Sequence, residues 1–324
     1  MHTHNKIPNS IFFSIFFSII LLMGLCGCNT TTTPTTPTKA SNKPTIVCTT
    51  FAAYDAARVL NTGASKDGES HYEVLYCPIS QDAEFKLTEE TKGELDNAHI
   101  IIHNGESALE SYLSEKNYTN ANNKIIFSLE AAVSTAGGNI DVPTDEFGKI
   151  FGETQIEVNP VLLQYDDSCI WLPIEAMAYI VQYTADRMIA DTKDGNYYSI
   201  AMEYLSALAK VDTEYLLLLK DKEFRVYMPC KFENFLQYYE AKYSVIDDKY
   251  SAPEDDKCDI LIDNITPIPS SLDDENVEFY RINTMEEDFS QDNKIDITKD
   301  SYLGFCEENF KTLQKAIKSP NYGK

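Results

Sequence analysis

Short runs of apolar and β-branched residues recur along this chain, separated by stretches with helical spacing. Thr45–Phe51, Tyr72–Ile79, His99–His103 and Lys124–Leu129 read as strands, and Ala52–Leu60 and Glu89–Asn97 as helices between them. Strands that alternate with helices predict parallel βαβ units, because a crossover helix must return the chain to the same edge of the sheet. The theme returns later with Phe224–Met228, Tyr243–Ile246, Asp259–Asp263 and Val277–Ile282.

Between the two sets lies the longest helical pattern. Tyr197, Ala201, Tyr204, Leu208, Val211 and Tyr215 are spaced alternately by four and three, with Leu205, Leu216 and Leu219 beside that stripe. Asp194-Gly195 is a plausible start, and Lys220 and Lys222 complement the negative end of the helix dipole. A helix of roughly 25 residues would be nearly 40 Å long at about 1.5 Å per residue, enough to brace two lobes. Ile174–Ile189, opening at Pro173, and Tyr302–Ile317 read as further helices. The predicted fold class is α/β: two βαβ-type lobes with parallel central sheets, joined by a long rigid helix. Its bounds are 45–193 for the first lobe, 194–220 for the linking helix and 221–324 for the second lobe.

The N-terminus has a different character. Ile11–Leu25 is an apolar run, short for a bilayer span and long enough for the core of a signal peptide, and it ends in Leu25-Cys26-Gly27-Cys28. A leucine three residues before Cys28 and a glycine just before it resemble a bacterial lipobox, which implies a signal peptide over 1–27 and lipidation of Cys28. Residues 28–44 are rich in Thr and Pro and have no apolar side chain larger than Ala after the cysteine. They read as a tether, which at about 3.1 Å per residue reaches up to roughly 50 Å from a lipid surface. The expected location is the extracytoplasmic face of the cell membrane, lipid-anchored.

A formal net charge of −24 argues against nucleic acid and against an anionic membrane surface as partners, and is compatible with cation capture. Six cysteines lie beyond the lipobox: Cys48, Cys77, Cys169, Cys230, Cys258 and Cys306. Their wide spacing matches neither a small disulfide scaffold nor a CxxC zinc knuckle. Cys48, Cys77 and Cys258 sit in or beside apolar strand runs and Cys306 on the apolar stripe of the last helix, so packing is the expected role. His103, ending an apolar strand before Asn104-Gly105, reads as a structural histidine. Trp171 reads as packing between lobe and helix, or as a cleft residue.

Several stretches then resemble, in order, the metal-binding receptors of zinc and manganese ABC importers. They are Thr45–Phe51 with Tyr54-Asp55; Ala98–Gly105 followed by Leu109-Glu110; Ile170-Trp171-Leu172-x-Ile174; the Tyr197–Tyr215 helix; and Tyr302-x6-Asn309-x3-Leu313-x2-Ala316. The resemblance implies a rigid connecting helix, limited lobe closure and an ion held between the lobes by three histidines and a carboxylate. Carried over by position, the first histidine falls on Glu84, the second on Cys169, and the third on Pro229 or Cys230. The carboxylate falls near Asn283, with Glu286, Glu287 and Asp288 close behind. None of the usual histidines is present.

Two readings compete. In one, Glu84, Cys169 and Cys230, with a carboxylate from Glu286 or Glu287 (Glu286 first), form a replacement site; thiolate and carboxylate both bind Zn²⁺, and thiolates disfavour Mn²⁺ and Mg²⁺. In the other the metal site is lost, and the cleft takes a non-metal solute or the fold serves as a surface adhesin or scaffold. An enzyme is not expected: G-x-S-x-G, P-loop, G-x-G-x-x-G and H-E-x-x-H are all absent from the sequence. The implied function is an extracytoplasmic solute-binding lipoprotein, a monomer that captures a divalent transition metal, Zn²⁺ first, and docks on an ABC permease with its ATPase.

Overall fold

A computed structural model describes residues 43–322 except 64–68, 119–123, 138–168, 228–230, 248–257, 269, 271, 273–276 and 287–294; side chains 135–137 are likewise outside the description. Lys43–Lys324 forms one compact unit.

The first set of elements runs β1 (Thr45–Cys48), α1 (Phe51–Gly63), β2 (Glu73–Tyr76), α2 (Glu89–Asn97), β3 (Ile100–His103), α3 (Ser107–Glu115), β4 (Ile125–Ser128) and α4 (Leu129–Gly137). Two long helices follow, α5 (Ile174–Thr192) and α6 (Asn196–Leu219). The second set is β5 (Glu223–Tyr227), α7 (Glu233–Tyr238), β6 (Lys242–Ile246), β7 (Cys258–Asp263), β8 (Val277–Ile282) and α8 (Tyr302–Lys318).

The strands form two sheets of the same winding, β2-β1-β3-β4 and β6-β5-β7-β8, with every pairing parallel. The middle strands explain why the runs are continuously apolar: β3 and β7 are buried at every residue, as parallel strands covered on both faces must be. In each sheet the order reverses between two neighbours, β1 and β3 in one, β5 and β7 in the other. The crevice beyond the carboxyl ends of such strands is where open α/β sheets bind ligands.

The predicted strand Thr45–Phe51 stops at Cys48, because the chain turns there into α1; Thr50 Oγ1 accepts a hydrogen bond from Ala53 N at 3.3 Å and helps start the helix. At the end of α2, Lys124 from the lead into β4 donates to three carbonyls, Leu95 O at 3.2 Å, Asp96 O at 2.8 Å and Ala98 O at 2.6 Å. Those acceptors include the carbonyls that a helix end leaves without a partner.

Helix α6 has 24 residues, about 36 Å at 1.5 Å per residue. It buries Tyr197, Ala201, Tyr204, Leu205, Leu208, Tyr215 and Leu219, so the apolar stripe is its core face; Leu216 is 40 % exposed and lies off it. One core cluster gathers side chains of α1, α5, α6 and α8 with residues from both sheets. Several of its tyrosines carry polar ends to fixed partners: Tyr215 Oη donates to Cys306 O at 2.5 Å, Tyr239 Oη to Asp212 Oδ1 at 2.8 Å and Tyr302 Oη to Trp171 O at 2.7 Å. Such an acceptor offsets the cost of burying a phenol, and the Tyr197 hydroxyl is buried without one.

Candidate functional site

A cavity of about 410 Å³ opens at the carboxyl ends of the strands of both sheets. One side is the turn after β1 (Thr49, Thr50, Phe51) and the turn after β3 (Asn104, Glu106). The other side is Ile265 and Pro267 after β7, Met285 and Glu286 after β8, and Lys231 after β5, with Trp171 between the two sides.

On the first side Glu106 is fully buried. Gly105 has φ +76, and this left-handed turn lets the chain fold back after β3 so that the Glu106 carboxylate accepts from Thr49 Oγ1 at 2.5 Å and from Asn104 N at 3.1 Å. Burial pushes its carboxyl pKa up, and the Thr49 hydroxyl with the Glu106 and Asn104 N–H groups pulls it part of the way back. His103 beside it is 4 % exposed, and its Nδ1 accepts from Gly105 N at 3.1 Å, which makes it the structural histidine that its position suggested. The Asn104-Gly105-Glu106 turn is therefore a rigid wall.

The second side is held just as firmly. Asn283 N donates to Asn309 Oδ1 at 2.7 Å and Asn309 Nδ2 donates back to Asn283 O at 2.8 Å, pinning the loop to α8. Thr284 N donates to Asn264 Oδ1 at 2.8 Å, Met285 N to Asn283 Oδ1 at 2.8 Å, and the indole Nε1 of Trp171 to Thr284 O at 3.0 Å. Glu286 stands at the end of this loop with its side chain 13 % exposed. Lys231 Nζ donates to Glu286 Oε1 at 3.2 Å and lies 3.0 Å from Oε2. Oε2 is buried without a hydrogen-bond donor, so at that oxygen the ammonium makes a charge contact alone. Burial works to lower the Lys231 pKa; Glu286, with Cys169 and Asp263 acting through space, outweighs it, and the ammonium lies above its ordinary range.

The four residues singled out by sequence are distributed unevenly about this cavity. Glu286 is in its wall. Cys169 is fully buried behind it, next to Trp171 and within electrostatic reach of Lys231. Glu84 is exposed on the loop after β2, where its N–H donates to Asp82 Oδ1 at 2.9 Å; Asp82, not Glu84, lines the cavity. Cys230 lies outside the described residues, as do Glu287, Asp288 and Cys28. Among the described residues no three His, Cys, Asp or Glu side chains are grouped as a metal site. Neither Lys231 nor Glu106 stands out in the sequence pattern. Lys231 carried one available signal, a lone cation beside Cys230 in the segment where the resemblance sets a histidine.

The packing roles expected of four cysteines are met: Cys48, Cys258 and Cys306 are buried and Cys77 half-buried, none of them in a disulfide. Trp171 does both things its position allowed, since it is 1 % exposed in the shared core and also faces the cavity. No helix among the described residues is long and apolar enough to cross a membrane.

No family model matches the chain, and no curated protein sequence matches it. Solved structures do. The Zn(II)-bound ZnuA-like domain of AdcA from Streptococcus pneumoniae matches with a TM-score of 0.56 at 16% identity, over 85% of this chain and 98% of that one. The periplasmic zinc-binding protein TroA from Treponema pallidum matches with 0.55 at 14%, over 86% and 100%. The laminin-binding protein Lbp of Streptococcus pyogenes matches with 0.56 at 10%, over 86% and 100%. At these identities the likeness is one of fold, and it spans nearly all of each structure compared: two four-stranded parallel sheets with flanking helices.

Proposed function

We propose that the chain is the extracytoplasmic receptor of an ABC importer, anchored through lipid on Cys28, that captures a divalent transition metal, Zn²⁺ first, in the cleft between its sheets. The observation that carries this reading is Glu286: a carboxylate fixed at the cleft wall, in the region where the resemblance sets a carboxylate ligand, with a cation already docked on it. In this reading the thiols of Cys169, within electrostatic reach of Lys231, and of Cys230, which precedes Lys231 in the sequence, join the carboxylate around a borderline-soft ion, and Glu84 becomes the fourth group only by turning in from the exposed loop that presents Asp82 to the cavity. The fold likeness supports the reading as well, since the AdcA domain is a Zn(II)-bound structure and TroA a zinc-binding protein. Loaded receptor, a monomer, delivers the ion to a permease and its ATPase; no reaction is catalysed.

A second reading is favoured by the size and lining of the cleft. A cavity of about 410 Å³ with Phe51, Tyr76 and Trp171 on its walls has the dimensions of a small organic-molecule site, far beyond the needs of a bare ion. Elemental analysis and zinc titration of protein lacking residues 1–28, under reducing conditions, decide between them, with a Cys169→Ser, Cys230→Ser variant alongside. Stoichiometric zinc lost in the variant supports the metal receptor. Absence of binding with thiols reduced transfers the cleft to an organic solute, or the chain to the role of a surface adhesin or scaffold.

A further inference from the structure

Lys231 is the one cationic side chain among the described residues that line the cleft, and it stands on the carboxylate that the cargo reading assigns to a metal ion. The two members of the pair are held very differently. Glu286 follows a loop tied to Asn264 and Asn309 and to the Trp171 indole. Lys231 reaches it on a four-carbon stem, and its side chain is 36 % exposed, so the ammonium has water to retreat into. The fixed partner is the anion, and the movable one is the cation.

A dication arriving at Glu286 would find one oxygen engaged in a hydrogen bond and the other in a charge contact with Lys231, at 3.2 Å and 3.0 Å. Two like charges sharing one carboxylate in a partly buried cleft repel strongly, because neither is fully screened by solvent. The ion and the ammonium therefore exclude one another. We infer that Lys231 is a tethered competitor for the cation position, so that metal loads only by displacing its ammonium from Glu286 and the resident charge sets the strength of capture. This inference rests on the cation-capture reading and adds to it the residue that regulates loading of the site. Lys231 serves as a stand-in cargo: it neutralises Glu286 in the empty receptor, and it is ready to reclaim the carboxylate when the ion leaves.

Zinc titration calorimetry on the full-length protein in detergent micelles, comparing wild type, Lys231→Met and Lys231→Met/Glu286→Gln, tests it. Lys231→Met is expected to bind Zn²⁺ at least about tenfold tighter, the order expected when a like charge a few ångströms away is removed, and the double variant is expected to lose that gain. Reductive methylation mapped by peptide mass supplies a second readout: saturating zinc should speed modification of Lys231 in wild type and leave it unchanged in Glu286→Gln. If wild type binds zinc and Lys231→Met binds no more tightly, or if zinc leaves Lys231 modification unchanged, the competitor role is overturned while cation capture stands. If neither wild type nor Lys231→Met binds zinc, cation capture itself fails and the competitor role goes with it.

Discussion

Tyr204 and Asp55, 149 residues apart, meet through a 2.8 Å hydrogen bond from the phenol to Oδ2. Tyr302 N donates to the same oxygen at 3.3 Å, and Arg58 pairs with Oδ1. One carboxylate, 1 % exposed, thus ties α1, α6 and α8 together at the centre of the shared core. Replacing it should loosen all three helices at once. Asp55→Ala is expected to cost about 3 kcal/mol, since it leaves a buried phenol and a partly buried guanidinium without their acceptor, whereas Tyr204→Phe should cost about 1 kcal/mol. Urea denaturation midpoints measure both, and equal small shifts would mean that apolar packing alone joins these helices.

Trp171 is the only tryptophan in the chain and lines the cleft, so its fluorescence reports on the site directly. Loading of the cleft should change its emission. Trp171→Phe removes the donor to Thr284 O and is expected to cost about 2 to 4 kcal/mol, from the lost hydrogen bond and the smaller ring, and, on the proposed cation-capture reading, to weaken zinc binding by loosening the loop that carries Glu286. Thermal melts and titrations on the variant check the two effects separately.

Two groups give opposite pH signatures. Burial lowers the pKa of His103, with Glu110 pulling it part of the way back. The unfolded chain therefore binds the proton first: the contribution of neutral His103 is complete above about pH 6.5 and is lost as pH falls through the lower folded value. His103→Phe should flatten the fall in stability below pH 6.5. Asp186 on α5 behaves in the reverse sense, because burial pushes its carboxyl up to about 6 against the pull of Arg187. Here the folded state holds the proton, so stability falls as pH rises through 6. Asp186→Asn should gain roughly 1 to 2 kcal/mol above pH 6, after allowance for solvent screening, and nothing below about pH 4. Denaturation curves across pH 4–8 measure both variants.

Burial also orders the thiols. Cys48, Cys169, Cys258 and Cys306 are buried, and half-buried Cys77 is pushed up to about 11, first by burial and then by Glu94 and Glu90. Iodoacetamide on the native protein should modify Cys77 slowly and ahead of those four, because alkylation needs an accessible thiolate. Peptide mapping after timed quenching reads the order; rapid labelling of Cys306 would mean that the last helix opens locally.

What was legible in the sequence follows a local rule. Strands such as β3 and β7 announce themselves because both faces are covered, and α6 because 24 residues repeat one spacing often enough to be read. Helices α3, α4 and α7 are not among the predicted elements, although α2 is no longer than the first two: α2 opens on Thr88, whose side chain accepts from Thr91 N, with Glu89 and Glu90 in its first turn, whereas α3 and α7 have no side-chain cap and α7 is surrounded by aromatic residues that read equally well as strand. Glu286 could be named only because the resemblance sets a carboxylate just after the last strand, where Glu286 follows Asn283. Glu106 could not, because its role depends on the left-handed turn at Gly105 and on Thr49, 57 residues away.

By itself, then, the sequence determined the alternation of strand and helix, the parallel sheets and the long connecting helix, since these depend on backbone periods of two and 3.6 residues and on which side chains avoid water. The tertiary structure alone decided which polar groups meet. Lys231 reaches Glu286 across 55 residues and Trp171 reaches Thr284 across 113, and such encounters depend on how the two sheets face each other. A charge in a sequence has no partner until folding brings one within about 4 Å, and it is there, at the mouth of the cleft, that a lysine rather than a histidine came to stand beside the carboxylate.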